Sequence, residues 1–330
     1  MQMRDDAPLF LPLGLTRADS TPTGWPRLAG GWRAVASARR WPGGPVVSAA
    51  ELPAEWFLPR PAFAGLPMDK PQIMGIVNVT PDSFSDGGDA ASTAAAVARG
   101  LELAEAGADI LDIGGESTRP GAAPVDPEQE AARVVPVIRA LAQRGLLISV
   151  DTRRAVVMAA ALAAGARILN DISALEDPEA LPLAVRSGAP VILMHMRGTP
   201  QTMQQLNGYE DVVAEVYRRL AQRVADCLAA GVRRENICID PGIGFAKGTA
   251  ENISLLAALP LFHGIGVPLL LGASRKRFIA ELSADEAPKD RLPGSLVAAQ
   301  TAWQAGVQIV RVHDVAETRQ AQKVWQAAGF

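Results

Sequence analysis

Two cysteines in 330 residues, Cys227 and Cys238, offer neither a disulfide framework nor metal-ligand spacing. That excludes a small stapled scaffold and a cysteine-held metal. Three histidines with no i, i+4 pair exclude a structural zinc site. No apolar run is long enough to cross a bilayer. A formal net charge of −3 gives no global attraction to nucleic acid or an anionic membrane, so any anion must be held by a local site. The apolar patch from Leu9 to Leu13 follows acidic residues and is broken by Pro12, unlike a secretory signal. These absences lead to the expectation of a cytoplasmic protein that binds neither membrane nor nucleic acid.

What is present is a folded globular balance, 48% hydrophobic and 20% charged. Residues 1–70 stand apart: prolines are dense, and Trp25, Trp32, Trp41 and Trp56 are four of the six tryptophans. Rings at that density need burial, so 1–70 reads as an extension packed on a main domain over 71–330.

From residue 72 strand and helix alternate. Buried strands are expected at 73–79, 110–114, 146–150, 167–169, 191–194, 237–239, 267–271 and 308–312. Between them run alanine- and leucine-rich helices, several closed by glycine, as at Gly107, Gly165 and Gly231. Asp126 reads as an N-cap. Eight βα units in about 260 residues fit an α/β fold of the (β/α)8 TIM-barrel type. A doubly wound sheet is the alternative.

In such a barrel chemistry gathers where the strands end. Here those ends carry Asn78, Thr118, Arg119, Asp151, Asn170, His195, Asp240, Lys276, Arg311 and His313. One of them alone would read as a helix cap. Eight sets would not, because caps need no Lys, Arg or His. Asp151, Asn170, Asp240 and Lys276 present acceptors and donors to a flat polar heterocycle. Thr118, Arg119, Arg311, His313 and Asn78 suit an anion, namely phosphate with a divalent cation; Mg²⁺ takes oxygen ligands and keeps waters. Gly242 to Thr249 resembles a phosphate loop but lacks the Gly-Lys-Ser/Thr order. The triplet Arg275-Lys276-Arg277 reads as a solvated helix start rather than a nucleic-acid patch.

The segments Met74-Gly75-Ile76-Val77-Asn78-Val79-Thr80-Pro81-Asp82-Ser83-Phe84-Ser85-Asp86-Gly87-Gly88 and Asp112-Ile113-Gly114-Gly115-Glu116-Ser117-Thr118-Arg119-Pro120-Gly121 resemble the two signature loops of the dihydropteroate synthase family. The resemblance continues in order through Ser149 to Thr152, Asn170 to Ser173, Met194 to Met196, Asp240 to Phe245, Ser274 to Lys276 and Arg311 to Asp314. Ala246 and Gly248 replace the commoner Gly and Thr. The resemblance implies a transferase of folate biosynthesis that joins 6-hydroxymethyl-7,8-dihydropterin pyrophosphate to p-aminobenzoate. The products are 7,8-dihydropteroate and pyrophosphate, with Mg²⁺ as cofactor and a homodimer as the assembly. It implies that Asp151, Asn170, Asp240 and Lys276 hold the pterin, and that Thr118, Arg311, His313 and Asn78 hold the pyrophosphate, Asn78 also meeting the metal. Phe84, Pro120, Ser117 and Arg119 would shape the p-aminobenzoate and sulfonamide pocket. Asp151, Lys276, Arg311, Ser117, Thr118 and Arg119 would carry catalysis. Two other readings share the pterin contacts: a methyltetrahydrofolate methyltransferase barrel, which needs no pyrophosphate set, and a catalytically silent pterin binder.

Overall fold

The computed structural model describes residues 9–13, 16–17, 27–28, 33–34, 37–43, 45–48, 52, 56–57, 59–80, 88–119 and 121–328. Phe84 and Pro120, both expected at the p-aminobenzoate pocket, lie outside them.

Six short strands come first: β1 (Leu9–Leu13), β2 (Thr16–Arg17), β3 (Arg27–Leu28), β4 (Arg33–Ala34), β5 (Ser37–Trp41) and β6 (Val46–Ser48). They form two antiparallel sheets, β1-β5-β6 and β2-β4-β3. β1 lies along a 3-10 turn at Leu259–Ile265, and Leu9 joins the main core. Arg60 Nη2 donates to the His263 carbonyl at 2.9 Å.

Eight parallel strands follow: β7 (Gln72–Asn78), β8 (Ile110–Gly114), β9 (Ile148–Asp151), β10 (Ile168–Asp171), β11 (Val191–Met194), β12 (Ile237–Asp240), β13 (Leu270–Leu271) and β14 (Ile309–Val312). Their order is β12-β11-β10-β9-β8-β7-β14-β13. The two ends meet through a single parallel bridge, Ile239 to Leu269. Helices α1 (Gly88–Glu105), α2 (Pro127–Ala142), α3 (Ala155–Ala164), α4 (Ala180–Ser187), α5 (Val212–Ala230), α6 (Thr249–Ala257), α7 (Arg277–Glu281), α8 (Leu292–Gln304) and α9 (Val315–Ala327) intervene or follow. This is the expected (β/α)8 barrel. β13 is shorter than the five residues expected from 267, because Pro268 has no N–H to give to a ladder. Among the described residues no helix is long and apolar enough to cross a membrane.

Strand side chains alternate between two faces. Outward residues such as Leu111, Ile113, Ile148 and Val150 pack under the helices in the main core. Inward residues at the strand starts, Met74, Ile110, Ile168, Ile192, Cys238, Leu270 and Ile309, form an apolar floor. Phe63, Ala64 and Met68 plug it from below, on a turn where Phe63 and Leu66 exchange backbone hydrogen bonds at 2.9 Å. One pleat above the floor the inward positions turn polar: Asp112, Asn170, Asp240 and Arg311.

Candidate active site

That polar layer is the site. Arg311 on β14 reaches across the barrel: its Nε donates to Asp112 Oδ2 and its Nη2 to Asp151 Oδ2, each at 2.6 Å. Asn170 Nδ2 donates to the same Asp112 oxygen at 3.0 Å. Burial works against charge on Arg311, but Asp112 and Asp151 prevail and hold it protonated well above the ordinary range. Burial pushes the Asp151 carboxyl up to about 7; Arg311 pulls against that shift and Asp112 adds to it. Arg311 Nη1 is taken by neither carboxylate.

Three buried polar atoms have no partner here: Asp112 Oδ1, Asp151 Oδ1 and Ser149 Oγ. Ser149 sits beside Asp112 in the β8–β9 register. Buried carboxylate oxygens without donors are costly. A ligand rich in N–H groups, or one that becomes cationic, would satisfy them.

Asp240 and Lys276 complete the opposite wall. Asp240 Oδ1 accepts from Gly242 N at 2.7 Å, and burial raises its carboxyl despite that bond. Lys276 Nζ stands 4.0 Å from the centre of the Phe245 ring. Burial lowers its ammonium to about 8, helped by Arg311 and opposed by Asp240. Two glycines leave space between these groups. A Cβ on Gly114 would lie 3.7 Å from Asp151 Oδ2 and 3.8 Å from Asn78 Oδ1. A Cβ on Gly272 would lie 3.6 Å from Asp240 Oδ2 and 3.9 Å from Arg311 Cβ. Groups from β7, β8, β9, β12 and β14 thus face one cavity mouth.

The basic triplet does not behave as a solvated helix start. Only Arg277 is solvated, pairing with Glu281 on the α7 surface. Arg275 forms two hydrogen bonds to Asp314, and its own backbone is left-handed at φ 58°. That strained turn presents Lys276 to the mouth. His313 shares a 3.0 Å contact through Nδ1 with Ser274 Oγ. Burial, then Arg311, holds its imidazole down at about 3, so the ring is neutral and offers a bound group an N–H or a lone pair rather than a charge.

Ser117, Thr118 and Arg119 stand on the loop after β8. No hydrogen bond or ion pair joins them to the Arg311 cluster, and Arg119 is exposed. The root of their loop is fixed. Glu116 accepts from Val125 N and Arg154, Arg133 Nη1 donates to the Gly115 carbonyl at 2.9 Å, and Arg154 also pairs with the buried Glu130.

Two residues without a role in the sequence reading matter here. Asp112 is fully buried and joins Arg311 to Asn170; an acidic residue inside an apolar strand was its signal. Lys247, in the glycine-rich stretch that is not a phosphate loop, is buried, with Nζ 3.0 Å from His195 Nδ1. It also donates to the carbonyls of His195, Gly242 and Phe245. It ties the loops after β11 and β12 together. Burial and the nearby Lys247 hold His195 down at about 2, so its ring stays neutral. Among the described residues no group of three or more His, Cys, Asp and Glu side chains surrounds a metal position.

The family model described as pterin binding enzyme matches residues 74–313. The dihydropteroate synthase of Escherichia coli K12 is 49% identical over 263 residues, 79% of this chain and 93% of that protein. That of Neisseria meningitidis serogroup B is 51% identical over 269 residues, covering 80% and 94%. The solved Xanthomonas albilineans dihydropteroate synthase with 4-aminobenzoic acid superposes with a TM-score of 0.76 at 53% identity, covering 80% and 96% of the two chains. The same enzyme in complex with 7,8-dihydropteroate gives 0.73 at 50% identity, covering 80% and 95%.

Proposed function

Because the chain belongs to the pterin binding enzyme family, and to its dihydropteroate synthases, we propose that it condenses 6-hydroxymethyl-7,8-dihydropterin pyrophosphate with p-aminobenzoate, giving 7,8-dihydropteroate and pyrophosphate. One observation carries the reading: an unsatisfied carboxylate pair, braced by one guanidinium, faces the mouth shared by Asp240 and Lys276.

The C–O bond between the pterin methylene and pyrophosphate breaks, and its electron pair leaves with the pyrophosphate. Positive charge then spreads from the methylene into the reduced ring. Asp151 and Asp112 stabilise that charge from fixed positions, at no cost of rearrangement during the step. Asp240 and Asn170 accept from and donate to the ring edge, and Lys276 donates to it. The amine of p-aminobenzoate forms the new C–N bond and gives up a proton, which the departing pyrophosphate carries away. Arg311 Nη1, the His313 imidazole and the Thr118 hydroxyl bind the departing anion. Ser117 and Arg119, with Phe84 and Pro120, bind and orient the amine. Exclusion of water by these loops protects the cation from hydrolysis.

Mg²⁺ fits this donor set. The space beside Gly114 that a Cβ would fill is lined by Asn78 Oδ1, and among the described residues no cage of His, Cys, Asp and Glu competes with phosphate oxygens and water for the ion. Asn78 would hold it, and when bound it would neutralise charge on the leaving pyrophosphate.

The assembly we propose is a homodimer. Val297 on α8 and Val324 on α9 are more than 60% exposed beside an apolar groove that includes Leu296 and Trp325. A cytoplasmic setting suits two buried free thiols, Cys227 and Cys238. The deciding assay is pyrophosphate release from the pterin substrate with Mg²⁺. Release that depends on p-aminobenzoate supports the synthase; no release, or release indifferent to the amine, overturns it.

A further inference from the structure

The family match begins at residue 74, so β1 to β6 lie outside it. This added arm nevertheless touches a segment that serves the site. Trp41 Nε1, at the end of β5, donates to Asp211 Oδ2 at 2.8 Å. The other Asp211 oxygen caps α5, accepting from Val213 N and Ala214 N at 3.0 Å each. One turn on, Glu215 accepts from the backbone N–H groups of Glu210 and Asp211 and pairs with Arg197. Arg197 donates to the Gly208 carbonyl and lies 3.8 Å from the centre of the Tyr209 ring. The loop from β11 to α5 is therefore folded back on itself against the residue that Trp41 holds.

That loop supports both neighbours. The Pro200 carbonyl accepts from Gly121 N at 3.0 Å, which docks the loop after β8 carrying Ser117, Thr118 and Arg119. Met203 packs with Phe245, the ring beneath Lys276. We infer that the N-terminal arm is a brace for the β11–α5 loop, and that Trp41 is a positioning residue for the amine-binding side of the site. The kinetic part rests on the synthase reading above; the structural part does not.

Two variants test it in the full-length chain. Trp41→Phe keeps a ring and removes the N–H. Asp211→Asn keeps the capping oxygen and turns an amide N–H toward the indole N–H. Loss of one such bond is worth about 3- to 10-fold in a local equilibrium. Each variant should speed amide exchange of residues 197–210 and 115–125 by that factor. Each should raise KM for p-aminobenzoate about 3-fold, with kcat within about 2-fold of the parent. The double variant should do no more than either single one. Unchanged exchange in these loops overturns the brace, as does an effect confined to the melting temperature. Faster exchange with unchanged KM overturns the positioning role. An inactive parent would instead overturn the synthase reading, because exchange is measured without turnover.

Discussion

Burial pushes the Asp151 carboxyl up to about 7 against the pull of Arg311, so its ionisation should appear in the rate. Only the carboxylate stabilises a cation. kcat/KM for the pterin substrate should therefore fall on the acid side of a limb near pH 7. Asp151→Asn should keep the far-UV circular dichroism of the parent, lower kcat by about 10²- to 10³-fold and lose that limb in the residual activity. An unshifted profile in the variant would assign the limb to another group. The placing of Asp151, Asn170 and Asp240 at the mouth was legible because each ends an apolar run, and that of Lys276 because it stands on the turn that follows one. Asp112 was not, because inside a strand its partners, Arg311 and Asn170, come from 199 and 58 residues away in the chain. Nor does sequence tell that Arg311 spends two of its nitrogens on carboxylates before any phosphate arrives.

Among the elements, the hinge between α2, α3 and the loop after β8 is electrostatic. Arg154 joins Glu116 to Glu130, and Glu130 is 1% exposed with one oxygen already unpartnered. Arg154→Ala leaves the buried Glu130 without its cation and Glu116 with Arg153 alone. It should cost about 3–5 kcal/mol in urea unfolding, the usual penalty for breaking a buried pair from one side. It should also loosen the root of the loop bearing Ser117 to Arg119. A loss below about 1 kcal/mol would mean that Arg153 and water take over. The helices themselves were legible: Asp126 caps α2 by accepting from Glu128 N and Gln129 N, as its place before Pro127 implied. The fate of Arg275-Lys276-Arg277 was not. Three like charges in a row reach three different environments only once the left-handed turn at Arg275 is set by Asp314, 39 residues on.

For the molecule as a whole, buried titratable groups oppose one another. His195, His263 and His313 are held by burial at about 2, 3 and 3, below the unfolded value of about 6.5. The unfolded chain takes up their protons first, so they withdraw stability as pH falls from 6.5. Asp151 and Asp171 are raised by burial to about 7 and 6, and Asp240 and Glu130 move the same way. The folded chain takes up those protons first, so stability is gained as pH falls from 7 to about 4. Below about 4 the carboxyl contribution is complete and the histidines act alone. The melting temperature should stay nearly level from pH 7 to 4 and drop below 4. A steady fall beginning at 6.5 would show that the carboxyls do not offset the histidines. At this scale too, the proposed homodimer predicts a dimer's mass by light scattering for the parent, halved by Val297→Glu with Val324→Glu while the barrel stays folded; a monomeric parent would overturn the dimer, and a dimeric variant would move its interface elsewhere. Eight repeats of strand and helix made the barrel legible, whereas no periodicity marks which helical face would meet a second copy.

The barrel closes at one thin place, where Ile239 meets Leu269 beside the two-residue β13. Asp240 ends the strand on one side of that join, and Lys276 follows the strand on the other. Under the proposed reading, a ring held by both would act as a clasp across the seam, and the last stave of the cask would be pulled tight by what it contains. Bound pterin should slow amide exchange at Ile239 and at Leu269 to Leu271 more than in β8 and β9. Equal slowing all round would mean that the closure needs no such help.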